Sequence, residues 1–144
     1  MNKENWLRTD EWNDAVLALE FFSELLDRVI DDIHFWKWTI ITLHSSLQGF
    51  MVASLRGSDG HDVLKVKADK ITNREAKERA QEFRLPDLVS FPRLYCRIKS
   101  DKMLKGVHSV LFTPNDHQDA CMETLNILRN DFIHFKPLGW SIDV

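Results

Sequence analysis

Apolar residues recur at Ala15, Leu19, Phe22, Leu26, Val29 and Ile33, a spacing that lays a stripe along one side of an α-helix. A second stripe, Trp36, Ile40, Leu43, Leu47 and Phe50, follows almost at once. A third, Cys121, Leu125, Leu128, Phe132 and Phe135, lies near the end of the sequence. Such stripes commit the chain to helices that bury one face against each other, because no single helix can shelter its own apolar side. The first helix is expected to open at Thr9 or Asp10, both good caps, and to end near Asp32. The second runs to about Arg56 and carries so few polar residues that most of its circumference should be buried. Gly49, within it, lets a neighbouring helix come close. No Gly or Pro marks the turn between the two helices, so its place at Asp32 to Phe35 follows from bundle geometry alone.

The middle of the chain is more heavily punctuated. Gly57, Ser58, Asp59 and Gly60 signal a loop, and His61 to Ala68 reads as a short extended or irregular segment. Thr72-Asn73-Arg74-Glu75 fits a capping box, in which the hydroxyl and the carboxylate satisfy free amides at a helix start. A short charged helix is expected from there to about Phe83, stopped by Pro86. Leu88 to Leu104 is a further helical segment with Pro92 early, Leu94, Ile98 and Met103 facing inward, and Gly106 closing it. For the last helix, Thr113 is the expected cap and Pro114 the first helical residue. The expected fold class is therefore all-α, an antiparallel up-and-down bundle of four to five helices filling one domain over residues 1–144.

Net charge is -3, but it is unevenly spread. Met1 to His34 hold nine acids and three bases, whereas Arg56 to Lys105 hold thirteen bases and eight acids. That asymmetry can steer an anionic ligand to one face, or it can be an acidic helix lying beside a basic one. The two cysteines, Cys96 and Cys121, have no CxxC spacing, and Cys121 falls on an apolar stripe. The N-terminus lacks the basic-then-apolar layout of a signal peptide, and the most apolar stretch, Phe35 to Leu55, is broken by Lys37, His44 and several hydroxyl residues. A cytoplasmic chain without a membrane span is expected.

Chemistry is concentrated in Leu128-Arg129-Asn130-Asp131-Phe132-Ile133-His134-Phe135. On a helix Asn130 and His134 lie about 40° apart and share a face, and Glu123 and Asn126 extend that polar line. Arg129 and His134 lie about 140° apart, so the arginine must reach round or serve a partner chain. Arginine is cationic at every relevant pH and matches phosphate oxygens bidentately, and histidine titrates near neutrality.

This segment resembles the R-x4-6-H motif of the HEPN superfamily, with Asn130 directly after Arg129 and His134 four positions further on. The place of the motif late in a terminal helix and the closing His134-Phe135-Lys136-Pro137-Leu138-Gly139-Trp140 add to the likeness. The helix from Trp36-Lys37-Trp38 to Phe50 is similar to the second helix of small bacterial members. The resemblance implies metal-independent cleavage of RNA, or binding of RNA or a nucleotide without cleavage, with Arg129, Asn130 and His134 as the catalytic set. It also implies a homodimer, since one motif supplies a single histidine and acid-plus-base chemistry needs two titrating groups.

Plainer accounts stand beside it. Asn130 and His134 can be a surface hydrogen-bonded pair, with Arg129 bridging to Asp131 or Glu123. His44, with Gln48 one turn on, can be a satisfied core histidine or can face the Arg129/His134 groove. Lys65, Lys67, Lys70, Arg74 and Lys77 can contact phosphates or form a solvated face. No metal-ligand spacing, Gly-rich phosphate loop, Ser/His/Asp set or paired-carboxylate site is present, and no cofactor is expected. The alternative function is a non-catalytic helical module that binds a partner protein.

Overall fold

A computed structural model describes residues 9–57, 63–64, 88–106, 108–134 and 139. Among them are four α-helices and no strand: α1 (Glu11–Val29), α2 (Trp36–Leu55), α3 (Phe91–Ile98) and α4 (Asp116–His134). The chain is all-α. Short 3-10 turns occupy Ile33–Phe35 and Asp101–Met103. The expected helix over Thr72–Phe83 and the extended residues around Lys65 and Lys67 lie outside the described residues.

Helix α1 opens as expected, with the extended Asp10 accepting the Asn13 amide at 2.8 Å. Glu11 and Asp14 stand in its first turn and Arg28 in its last, each complementing the helix dipole. Asp32 explains how the chain turns without Gly or Pro. Its own amide donates to the Arg28 carbonyl at 2.9 Å, and its carboxylate accepts the His34 amide and meets His34 Nδ1, both at 2.9 Å. One residue thus closes the first helix with its amide and caps the 3-10 turn leading into α2 with its side chain.

The two helices pack as an antiparallel pair. At their seam a Cβ on Gly49 would stand 2.6 Å from the Ala15 Cβ and 3.1 Å from the Glu11 carbonyl oxygen. Beside it the Ser46 hydroxyl donates to the Ala15 carbonyl at 2.9 Å, and Trp12 meets Phe50 edge to face. An ion pair between Glu11 and Arg56 ties the start of α1 to the end of α2. This close approach fixes how α1 is rotated. Ala15 and Leu25 are buried, with Phe22 and Val29 half-buried beside them, whereas Leu19, Leu26 and Ile33 are exposed. The inward stripe therefore keeps Ala15, Phe22 and Val29 of the one expected and takes Leu25 in place of Leu26.

Helix α2 is the centre of the fold and packs on α1, α3 and α4. Its other side contributes Ile40, Met51 and Leu55 to a core shared with Val63, Val89, Phe91, Leu94, Tyr95 and Leu125. Burial on most of its circumference is what its composition predicts. At its C-terminal end the Ser54 carbonyl receives the Lys105 and Gly106 amides and the Ser109 hydroxyl, at 3.1, 2.9 and 3.1 Å. The loop after the second 3-10 turn thereby satisfies a carbonyl that the helix leaves free.

Val63 and Leu64 approach Leu88 and Val89 through one isolated antiparallel bridge and a 3.0 Å bond from the Val89 amide to the Val63 carbonyl. Helix α3 has Pro92 in its first turn and is shorter than the segment expected, because a turn at Lys99 and Ser100 breaks it before the second 3-10 turn. Leu94 is fully buried, and Ile98 and Met103 are half-buried. On one side of α3, Lys99 pairs with Asp119 of α4 at 3.0 Å and lies over the Tyr95 ring. Burial, and then the neighbouring Asp119 carboxylate, push the Tyr95 phenol up to about 12.

The start of α4 corrects the expected cap. Asn115, not Thr113, accepts the Gln118 amide at 2.8 Å, and Gln118 returns a bond to the Asn115 amide at 3.0 Å. This reciprocal box outcompetes the Thr-Pro start and places the first helical residue at Asp116. Cys121 is exposed, because Met122, Leu125 and Phe132 take the inward positions and turn the sulfur outward.

The Gly49 seam yields a test of helix propensity against packing. Alanine favours a helix by about 1 kcal/mol over glycine. A methyl group at position 49 would meet the Ala15 side chain and the α1 backbone, and overpacking costs about 1–3 kcal/mol. Gly49→Ala should therefore lower the thermal midpoint, while Gly49→Ala with Ala15→Gly should recover part of the loss.

Candidate functional site

Helix α4 lies against α2 so that Asn126 and Arg129, one turn apart within its inward half, face His44. Asn126 accepts from His44 Nε2 at 3.3 Å, which sets the imidazole as a donor at that nitrogen. Phe91, the first residue of α3, stacks on the same ring with centroids 3.9 Å apart and planes at 22°. His44 is only 2% exposed. Burial foremost, with the nearby Arg129 charge adding to it, lowers its pKa to about 4 against the pull of the Asn126 bond. The imidazole is neutral at pH 7, a hydrogen-bonding group more than a proton carrier.

Two cavities open on either side of this contact, and His44, Gln48, Leu88 and Arg129 border both. One, of about 420 Å³, is also lined by Ser90, Phe91, Asn126 and Asn130. The other, of about 350 Å³, reaches toward Glu11, Asp14, Ser45 and Ile133. Arg129 is half-buried, and its Nη1 donates to Asn130 Oδ1 at 2.9 Å. Among the described residues no carboxylate pairs with it, since Glu11 is engaged by Arg56. A guanidinium held by a neutral amide at a polar cavity keeps most of its donors for an anion.

The polar line expected along Glu123, Asn126, Asn130 and His134 divides. Asn126 turns in to His44, Asn130 stands at the cavity rim, and Glu123 and His134 are exposed. His134, the last residue of α4, stands about 180° round the helix from the buried Leu125 and borders neither cavity. Within one chain Arg129, Asn130, Asn126 and His44 converge, and His134 does not join them. Lys65 and Lys67 lie outside the described residues. Phe91 and Ser90 were not legible as site residues, because nothing local ties the start of α3 to a histidine 47 positions earlier.

Among the described residues no three His, Cys, Asp or Glu side chains are placed to hold a metal ion, and no helix is long and apolar enough to cross a membrane. The chain matches no protein-family model, no curated protein and no solved structure.

His44 makes stability depend on pH in a defined window. Its folded pKa lies below its unfolded value of 6.5, so the unfolded chain takes up a proton that the folded chain refuses. Stability is whole above pH 6.5 and falls as pH drops toward about 4, by on the order of 3 kcal/mol in full. Urea unfolding between pH 7 and 4.5 should show this decline. His44→Gln, which retains a donor toward Asn126, should lose most of it.

Proposed function

We propose that this chain is a HEPN-like helical domain that acts on RNA or a nucleotide at Arg129, Asn130 and His134, without a metal ion. The reading includes an up-and-down antiparallel bundle, a homodimer and a cytoplasmic setting. One observation carries it: Arg129 is a half-buried cation with a neutral hydrogen bond and no carboxylate partner among the described residues, at a cavity lined by amide and imidazole groups. Structural arginines at such depth are ordinarily paired, and an unpaired one is matched by an anion. A phosphodiester supplies that anion, and the Ser90, Gln48 and Asn130 side chains at the same cavity give its sugar or base polar partners.

Cleavage on this site follows ordinary transesterification. The ribose 2′-oxygen forms a bond to the adjacent phosphorus while the bond from phosphorus to the 5′-oxygen breaks, leaving a cyclic phosphate and a free 5′-hydroxyl. One group removes the 2′-proton, a second protonates the departing oxygen, and Arg129 neutralises the charge that builds on the remaining oxygens. His44 is a poor proton carrier at neutral pH, so the proton acceptor and donor are assigned to the His134 imidazoles. Two copies are required, because His134 points away from its own Arg129. The pairing must bring His134 of one copy to the Arg129 cavity of the other.

A second reading, a non-catalytic module for a partner protein, is favoured by α1. This helix leaves Trp12, Leu17, Leu19, Phe21 and Leu26 exposed, and Ile30 just past its end is exposed too.

A fluorescent RNA incubated in EDTA with pure protein tests the first reading. His134→Ala should cut cleavage at least about a hundredfold and leave binding nearly unchanged, as loss of a proton carrier does. Arg129→Ala should weaken both binding and cleavage. Cleavage by His134→Ala at the wild-type rate removes the nuclease assignment, and wild-type RNA and nucleotide affinity in Arg129→Ala removes the site.

A further inference from the structure

A groove of about 440 Å³ runs between α1 and α2 and adjoins the smaller cavity beside His44. It is lined by Asp14, Leu17, Ala18, Phe21, Ile41 and Ser45. Its apolar walls are open: Leu17 is 60% exposed and Phe21 52%, and Trp38 stands exposed at the α2 end of the same side. Leu17 and Phe21 lie one helical turn apart, and Trp38, Ile41 and Ser45 repeat at the matching i, i+3, i+7 spacing on α2. Two parallel ridges of this kind form the seat into which a third helix lays its apolar side. We propose that this groove docks a cationic amphipathic helix of a partner protein.

Charge selects the occupant. From Asp10 to Asp32 the chain carries eight acids and one base, Arg28. Asp14, Glu20 and Glu24 fall on the same side of α1 as Leu17 and Phe21, so the apolar strip has an acidic border. Arg28 is turned toward the Phe35 ring, its guanidinium 5.6 Å from the centroid. A second copy placing its own α1 in the groove would set acid against acid. An anionic lipid surface or a nucleic acid would meet the same repulsion. A helix with Leu or Ile along one side and Lys or Arg flanking it satisfies both the apolar strip and its border. The contact length, Trp38 to Ser45 on α2, corresponds to about 10 Å, or two turns of the bound helix. The groove adjoins the smaller Arg129 cavity through Asp14, Ile41 and Ser45, whereas Leu17 and Phe21 line the groove alone.

The probe is an 18-residue fluorescein-labelled peptide of Leu and Lys with Leu at i, i+3, i+4 and i+7, beside the same peptide with Glu for every Lys. Anisotropy with the full chain should give micromolar binding of the Lys peptide, weakened by salt, and none of the Glu peptide. The double variant Leu17→Ser, Phe21→Ser leaves every charge and every buried residue in place. It should retain the helical circular dichroism spectrum and lose at least about tenfold in affinity, as removal of apolar anchors does. Glu20→Gln with Glu24→Gln should weaken binding and flatten its salt dependence. Equal binding by the double serine variant would overturn the proposal, since attraction would then be mere charge anywhere on α1. So would equal binding of the Glu peptide, or a dimer in sedimentation that the serine variant dissolves.

Discussion

Contact between the backbones of α1 and α2 at Gly49 and Ala15 governs the rest of the molecule. A helix can turn about its own axis at little cost until something keys it, and here the key is a missing side chain. Ala15 enters the place a Cβ would fill, and the Ser46 hydroxyl binds its carbonyl. With that contact made, α1 buries Leu25 and leaves Leu17 and Phe21 outside. On α2, His44 lies about 140° round the helix from Gly49 and is carried to the side facing α3 and α4. The acidic groove and the polar cavities are thus two results of one rotation.

Three polar residues are buried in α2, and each has an answer. Thr39 returns its hydroxyl to the Phe35 carbonyl at 2.9 Å, Ser46 crosses to α1, and His44 reaches Asn126. Buried polar groups that are satisfied in this way add specificity to a packing scheme otherwise made of interchangeable aliphatics. Arg129 departs from the rule, since its one described hydrogen bond goes to a neutral neighbour. What sets this corner apart is that the under-engaged group is a cation; the other, the buried Tyr95 hydroxyl, is neutral.

Much of the architecture could be read from the chain alone, and the reasons for success and failure differ by element. Period and caps found the start of α1 and both ends of α2 to within a residue or two, because Asp10 and the unbroken apolar run of α2 act locally, whereas α1 ends at Val29, three residues before the expected Asp32. The turn at Asp32 could be placed but not explained, since its cap is a side chain serving a 3-10 turn. Rotation was less legible. Leu25 and Leu26 differ by only 100° on the helix, and the choice between them was made by Gly49, more than twenty residues away. The same limit applies to the site. Local spacing drew attention to Arg129, Asn130 and His134, and correctly set Arg129 and His134 on different sides of α4. It gave no sign that Asn126 turns to His44, that Phe91 covers the ring, or that His134 stands apart within one chain.

The small bridge between Val63–Leu64 and Leu88–Val89 has a consequence for how this chain can vary. It draws together the two ends of a 23-residue stretch, residues 65–87, so that the stretch leaves and rejoins the helical body at one point. The distance between α2 and α3 is held by their own packing, with His44 against Phe91 and Met51 and Leu55 in one core with Leu94. Doubling the length of such a closed excursion adds only about 0.6 kcal/mol of closure entropy. Evolution, or an engineer, can lengthen, shorten or exchange the segment as a cassette while the helices that carry Arg129 and His44 remain where they are.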